Sequence, residues 1–129
     1  MQPNDEDVQA CLGNVFDPGC PARAILETLA EKWSLLLVHM LANGPARTAE
    51  LRRRIGGISD KMLIQTLRRL ERNGFVARRA FAEVPPRVEY SLTALGASLS
   101  EPIRTLDLWV EQHLQDIGVA QRQFDQRSK

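Results

Sequence analysis

The stretch ISDKMLIQTLRRLERNG, residues 58–74, carries the start and stop signals of one complete helix. The Ser59 hydroxyl can accept hydrogen bonds from first-turn amides, and Asp60 suits the positive end of the helix dipole. Gly74 can adopt the left-handed conformation that closes a helix. These caps predict a helix over residues 59–73 more strongly than periodicity alone does.

The two faces of this helix differ in chemistry. At about 100° per residue, Leu63, Leu67, Leu70 and Gly74 fall on one side. The opposite side carries Lys61, Met62, Gln65, Arg69 and Arg72. The leucines can therefore anchor the helix in a core while the basic face lies in a DNA groove.

A second, shorter helix is expected just upstream, over residues 47–55, with Leu51 and Ile55 facing inward. Gly56-Gly57 then turns the chain into the helix of residues 59–73. Two helices joined by a glycine-containing turn, the second more basic on its outer face, are typical of a helix-turn-helix. In that arrangement the second helix enters the major groove.

The hydrophobic period changes from helical to alternating after Gly74. Strands are predicted over residues 75–81 and 88–92, around a turn stiffened by Pro85-Pro86. Val88, Tyr90 and Leu92 alternate towards the core. A two-stranded β-hairpin over residues 76–92 would be the wing of a winged helix-turn-helix, so we expect an α+β, mostly α, fold.

The sequence patterns near the two ends of the chain give the expected domain limits. Residues 1–19 lack sustained periodicity and are expected to be a flexible acidic arm. Pro21 suits the first position of a helix, so one DNA-binding and dimerisation domain is predicted over residues 20–117. An apolar helical stripe runs to about Ile117, with a kink or break at Pro102, and residues 118–129 are expected to be a C-terminal tail.

The C-terminal stripe carries more apolar surface than a small winged domain can cover. We predict a homodimer with extra N- and C-terminal dimerisation helices. The expected contact residues are Leu106, Trp109, Val110 and Leu114. A twofold dimer would present two recognition helices roughly 34 Å apart and so require a near-palindromic operator. The alternative is that this helix only caps its own core.

The net charge of +1 hides a strong division along the 129-residue chain. Residues 47–79 hold ten basic and three acidic side chains, whereas the remainder has a net charge of −6. A basic middle segment between acidic ends is expected when one surface faces phosphate. The alternative is a solvated arginine-rich face without a ligand.

Several classes of protein are disfavoured by composition. No segment approaches the ~20 apolar residues of a membrane span, and the acidic start lacks the basic region of a signal peptide, so a cytoplasmic location without membrane contact is expected. No catalytic constellation or glycine-rich phosphate loop is visible, which argues against an enzyme. The two cysteines and two histidines lack metal-ligand spacing, so neither metal nor cofactor is expected.

The chain resembles the HxlR-type winged helix-turn-helix transcriptional regulators, relatives of the MarR-like repressors, over residues 20 to about 110. The matching residues are Cys20-Pro21, Leu29, Lys32-Trp33, Glu50-Leu51, residues 58–63 and 67–71, Gly74, residues 85–93 and Gly96. The resemblance implies a bacterial cytoplasmic DNA-binding dimer that acts as a local repressor or activator. Some members sense quinones, aldehydes or electrophiles through an N-terminal cysteine.

Three positions depart from the family pattern. Glu31 stands where glycine is usual, and Thr48 where an aromatic residue often precedes Glu-Leu. Ile64 replaces a small hydroxyl residue. Ile64 can offer DNA only an apolar contact, such as one to a thymine methyl group, or it can turn into the core. Its angle of about 60° from Leu67 favours the core.

The predicted DNA-binding residues divide into two groups. Those near the helix start are expected to approach bases: Ser59, Lys61, Met62 and Gln65. The arginines further along the helix and in the hairpin are expected to contact phosphate: Arg68, Arg69, Arg72, Arg78, Arg79 and Arg87. Base contacts give specificity, whereas phosphate contacts strengthen binding to every sequence alike.

Cys20 precedes Pro21 at the predicted cap of the first helix, where unpaired amides and the dipole favour a thiolate. Cys20 is therefore a candidate redox or electrophile sensor, with Cys11 as a resolving thiol within a subunit or across the dimer. The alternative is a small residue that fits a tight helix start. Two other functions remain as alternatives: a small-molecule-responsive regulator without a thiol switch, and a winged-helix protein-interaction module.

Overall fold

The computed structural model describes residues 14–128. Cys11 and most of the predicted N-terminal arm lie outside this range. Within it the chain forms six helices and three short strands. In chain order they are α1 (Pro21–Leu29), α2 (Lys32–Leu41), β1 (Ala46–Arg47), α3 (Thr48–Arg54), α4 (Asp60–Arg72), β2 (Val76–Phe81), β3 (Arg87–Leu92), α5 (Ala94–Ser98) and α6 (Ser100–Arg127).

The helix-turn-helix consists of α3, a turn through Gly57, and α4. The Ser59 hydroxyl accepts a 3.1 Å hydrogen bond from the Met62 amide, as its position before the helix predicted. Gly57 and Gly74 have φ values of +85° and +82°, which residues with side chains rarely adopt. The first glycine turns the chain into α4, and the second turns it out.

The wing is part of a three-stranded antiparallel sheet of order β1-β3-β2. Val76 pairs with Leu92 and Phe81 with Arg87, which gives the predicted hairpin. The third strand was not predicted. Arg47 was expected to start a helix, but it is extended (φ −86°, ψ 157°), pairs with Glu89 and acts as the N-cap residue of α3. The helix therefore begins one residue later, because an N-cap has non-helical backbone.

One hydrophobic core joins these elements. The predicted inward residues Leu51, Ile55 and Tyr90 are buried, and Val88 and Leu92 pack against the same core. The other buried residues of the cluster are Leu37, Val38, Leu41, Ala46, Ile58, Leu63, Leu67, Leu70, Phe75, Val76 and Ile103. Leucines of α2, α3 and α4 thus hold the basic helix in place, while its outer face stays free.

The C-terminal helix α6 is longer than the sequence pattern indicated. It continues to Arg127, beyond the predicted end near Ile117, so residues 118–127 are helical. Pro102 lies in the first turn of α6, where a backbone N–H would have no partner within the helix and its loss costs little. The break expected at Pro102 falls before it, between α5 and α6. Within residues 14–128 no helix is both long enough and apolar enough to cross a membrane.

Gly96 lies where a side chain cannot fit. A Cβ atom there would overlap the backbone carbonyl oxygen of Phe75, whereas a Cβ on Gly56 would meet nothing within 4 Å. We expect Gly96→Ala to lower the free energy of unfolding by about 2–3 kcal/mol, since backbone must move to admit the methyl group. Gly56→Ala should change it by less than about 0.5 kcal/mol. Urea unfolding of both variants checks this, and equal effects would contradict the packing described.

Candidate nucleic-acid interface

Helix α4, the second helix of the helix-turn-helix, divides into a buried face and an exposed polar face. Its buried side chains are Leu63, Thr66, Leu67 and Leu70. At about 100° per residue, the exposed Lys61, Gln65, Arg68 and Arg72 fall within an arc of about 60°, directly opposite the buried face. This arc is the surface that α4 offers to a ligand, and we call it the outer face.

Ile64 is exposed on 39% of its surface, so the expectation that it turns into the core was wrong. The buried face is centred between Leu63 and Leu70 rather than on Leu67, because Thr66 is also buried. This centre lies more than 100° from Ile64. Ile64 therefore borders the outer face, where an apolar contact to DNA is sterically open.

Met62 was expected on the exposed side of the helix. It is instead half-buried and packs against the core, so it lies outside the outer face. Its carbonyl oxygen accepts a 2.7 Å hydrogen bond from the Thr66 hydroxyl. Thr66 is fully buried, and this bond satisfies its hydroxyl within the helix. Met62 thus supports the helix from one flank.

Two ion pairs hold α4 near its two ends. Arg52 Nη1 lies 2.6 Å from Asp60 Oδ1 and links α3 to the start of α4. Arg69 Nη1 lies 2.7 Å from both carboxylate oxygens of Glu31, in the connection between α1 and α2. The sequence did not indicate either pair, because the partners meet only in the folded chain. The departure from the family pattern at Glu31 was the one available signal.

The wing arginines lie on two different faces of the hairpin. Arg78 pairs across the strands with Tyr90 and shares the face that turns towards the core. Arg79 and Arg87 lie on the other face, with their guanidinium carbons 4.6 Å and 4.0 Å from the Phe81 ring centroid. The alternation of side chains along a strand explains this separation.

Arg87 is committed to contacts within the wing. Its Nη2 lies 3.3 Å from Glu83 Oε1, and its Nε is buried without a hydrogen-bond partner in the described part of the chain. A guanidinium stacked on an aromatic ring and paired with a carboxylate stiffens the hairpin. The phosphate contact expected for Arg87 stays a prediction. It would require Arg87 to break its contact with Glu83 or with the Phe81 ring.

Tyr90 connects the wing to α4 electrostatically. Burial raises the pKa of the Tyr90 hydroxyl, and the positive charge of Arg78 opposes that rise. Glu71 raises it further, and Arg68 lowers it. Charged residues of α4 and of the wing therefore both act on this tyrosine, and strand β2 of the wing packs against α4.

The predicted dimerisation residues are exposed in the single chain. Leu106, Trp109, Val110 and Leu114 each expose between 38% and 58% of their surface. The Trp109 ring stacks on His113 at 4.3 Å between centroids. The first turns of α6 are tied to the domain by Ile103, which is buried, and by Asp107, whose Oδ2 lies 2.7 Å from His39 Nδ1 of α2.

Cys20 occupies the N-cap position of α1, as its place before Pro21 predicted. It is buried, with 4% of its surface exposed, and it is disulfide-bonded. Cys11, the other cysteine of the sequence, lies outside the described residues. Across residues 14–128 no three or more His, Cys, Asp and Glu side chains group so as to hold a metal ion.

Comparison with known proteins matches this architecture to one family. The chain is 45% identical to the HTH-type transcriptional regulator YtfH of Escherichia coli (strain K12), over 81% of this chain and 83% of that protein. The structure of the transcriptional regulator ytfH from Salmonella typhimurium superposes with a TM-score of 0.78 at 42% identity, over 86% of this chain and 98% of that one.

A second solved structure is described as the redox regulator HypR in its oxidized form. It matches with a TM-score of 0.67 at 36% identity, over 72% of this chain and 96% of that one. The family model of the HxlR-like helix-turn-helix matches residues 28–117, which include both helices of the motif and the whole wing. The winged helix-turn-helix expected from the sequence is thereby confirmed, and the chain belongs to the HxlR-like helix-turn-helix family of transcriptional regulators.

Proposed function

We propose that this protein is a dimeric, sequence-specific DNA-binding regulator that places α4 in the major groove and the wing on the DNA backbone. The observation that carries the proposal is the outer face of α4, where Lys61, Gln65, Arg68 and Arg72 are exposed opposite a fully buried leucine face. A protein-interaction module would not need these cations in one narrow arc. Lys61 and Gln65 lie in the first two turns of α4, and the N-terminal part of the second helix is the part that approaches base edges in helix-turn-helix complexes.

Phosphate contacts are assigned to the arginines that stay available in the folded chain. Arg68 and Arg72 follow Gln65 on the outer face of α4, and Arg78 is exposed on strand β2, which packs against α4. None of these three arginines forms an ion pair with another residue in the 14–128 range. An exposed arginine without a partner can bind a phosphate without first breaking a contact within the protein. Each such contact releases counterions from the DNA and so strengthens binding.

Dimerisation is assigned to α6. From Leu106 onward its apolar stripe is exposed, and it continues through Leu114 to Phe124, which is 60% exposed. This row is about 27 Å long at 1.5 Å per residue. An exposed apolar row of this length is typical of a surface that a second copy covers. A twofold dimer built on α6 would present two α4 helices to a near-palindromic site.

A thiol switch at Cys20 is the regulatory part of the proposal. Cys20 caps the helix that leads to α2 and the core, so a change in its bonding bears on the position of α1. The likeness to HypR, which is described as a redox regulator, supports this assignment. In the proposed switch, oxidant removes two electrons and two protons from Cys20 and Cys11 to form a disulfide, and a dithiol reductant restores both thiols.

The switch is tested by fluorescence anisotropy with labelled DNA from the protein's own upstream region. We expect selective binding by the reduced protein, a change after treatment with diamide, and recovery with dithiothreitol. Cys20→Ser should bind this DNA as the reduced wild type does and should not respond to diamide. If Cys20→Ser responded as the wild type does, the switch would be refuted, while selective binding itself would still support a regulator.

A further inference from the structure

We propose that Arg69 is a positioning residue of the recognition helix rather than a phosphate contact, and that its partner is Glu31. The inference rests on the proposed DNA-binding function, which it refines. It reverses the expectation from sequence, in which Arg69 was one of a row of equivalent arginines. The buried leucines set the rotation of α4 about its own axis, and the pair stabilises that rotation from one flank, so that the outer face stays turned towards the DNA.

The contact between Arg69 and Glu31 is short in space, although the two residues are far apart in the sequence. Arg69 Nη1 lies 2.7 Å from both Glu31 oxygens, although 38 residues separate the two positions. Both side chains are about 40% exposed, at 44% and 38%, so the pair sits at the edge of the domain rather than in open solvent. Such a contact joins α4 to the connection between α1 and α2.

The position of Arg69 on α4 differs from that of its neighbours. Lys61, Gln65, Arg68 and Arg72 share the outer face, whereas Arg69 lies about 70° from the centre of that arc. It is displaced towards the flank of Met62, which packs against the core. Arg69 therefore points along the protein surface towards α2 and not directly away from the core.

The Glu31 carboxylate starts from a well-anchored backbone. Glu31 is the N-cap residue of α2, and its carbonyl oxygen accepts a 3.2 Å hydrogen bond from the Ser34 amide. Its own amide donates to the Thr28 carbonyl at the end of α1. Because the chain is held on both sides, Glu31 can act as a fixed point against which α4 is oriented.

The charge of Arg69 is already compensated within the protein. A phosphate contact by Arg69 would require the Glu31 pair to break and would leave a carboxylate close to the DNA, where it would repel phosphate. Arg68, by contrast, makes no ion pair with a residue in the described part of the chain. Adjacent arginines of one helix thus have different roles, and Arg68 provides a matched control for Arg69.

The test compares affinity for a duplex selected by the wild type with affinity for a scrambled duplex, across a range of salt concentrations. The ratio of the two affinities reports positioning and is little affected by net charge, whereas the salt dependence counts phosphate contacts. We expect Arg69→Gln and Glu31→Gln each to lower the ratio about two- to fivefold, with no further loss in the double variant. The reversed pair, Glu31→Arg with Arg69→Glu, should restore the ratio to within about twofold of the wild type.

Arg68→Gln should behave in the opposite way. It should leave the ratio unchanged and reduce the slope of log affinity against log salt by about 0.9, whereas Arg69→Gln should leave that slope unchanged. The inference is overturned if Arg69→Gln matches Arg68→Gln, or if the reversed pair is no more selective than the poorer single variant. A wild type that shows no selectivity would instead refute the proposed function, and the inference with it.

Discussion

Replacing Leu114 by glutamate in α6 is expected to convert the proposed dimer to monomers and to weaken DNA binding by at least about a hundredfold. Leu114 is 58% exposed in the single chain and lies on the stripe formed with Leu106 and Val110. A carboxylate on each copy would be buried against the partner without a counter-charge. A monomer would engage only one half-site and would lose the gain in affinity that comes from joining two.

Leu108→Glu is the matched control. Leu108 is 46% exposed on the same helix, but it lies about 170° from the centre of the apolar stripe. It should leave both the mass and the DNA affinity unchanged. Sedimentation of both variants and the wild type at micromolar concentration measures the effect. The dimer would be refuted if the wild type sedimented as a monomer and its affinity for DNA were the same as that of Leu114→Glu.

Gln65→Ala and Arg72→Ala are expected to damage DNA binding in different ways. Gln65 is exposed in the second turn of α4, from which a side chain reaches base edges, and Gln bonds adenine with two hydrogen bonds. Its loss should cost about 1–3 kcal/mol of discrimination at one position of the operator and little affinity elsewhere. The affinity for duplexes with each base at that position is the measurement.

Arg72 lies in the last turn of α4, and its loss should weaken binding to every sequence alike. It should also reduce the slope of log affinity against log salt by about 0.9, because one phosphate contact disappears. Binding of both variants to the same set of duplexes distinguishes the two roles. If both variants lost selectivity to the same extent, the division into base and phosphate contacts would be wrong.

The fold was predictable where capping and periodicity agree. Ser59, Gly74 and the leucines between them defined α4 to within one residue at each end, since each signal has a local physical cause. The strand β1 was not predictable, because two extended residues become a strand only when β3 lies beside them. The length of α6 was underestimated, since Gly118 and the polar residues 121–123 hide the continuation of the stripe to Phe124.

The candidate site was predictable as a set of residue types but not as an arrangement. The sequence identified a basic helix and a basic wing, and the fold packs strand β2 of the wing against that helix. It did not separate Arg68 from Arg69, because helical angles alone do not show that Glu31 lies beside one of them. It treated Arg78 and Arg79 alike, although strand alternation places them on opposite faces of the hairpin.

We propose that α4 reads DNA sequence as part of a twofold dimer. Selection of random duplexes by the reduced wild-type protein, followed by sequencing of the bound fraction, tests it most directly. We predict enrichment of a near-palindrome whose half-sites are centred about 10 base pairs apart, and loss of that enrichment in the combined Lys61→Ala and Gln65→Ala variant, which lacks both side chains assigned to base edges. A bound fraction with the composition of the input, or the same enriched site with the double variant, would contradict the claim.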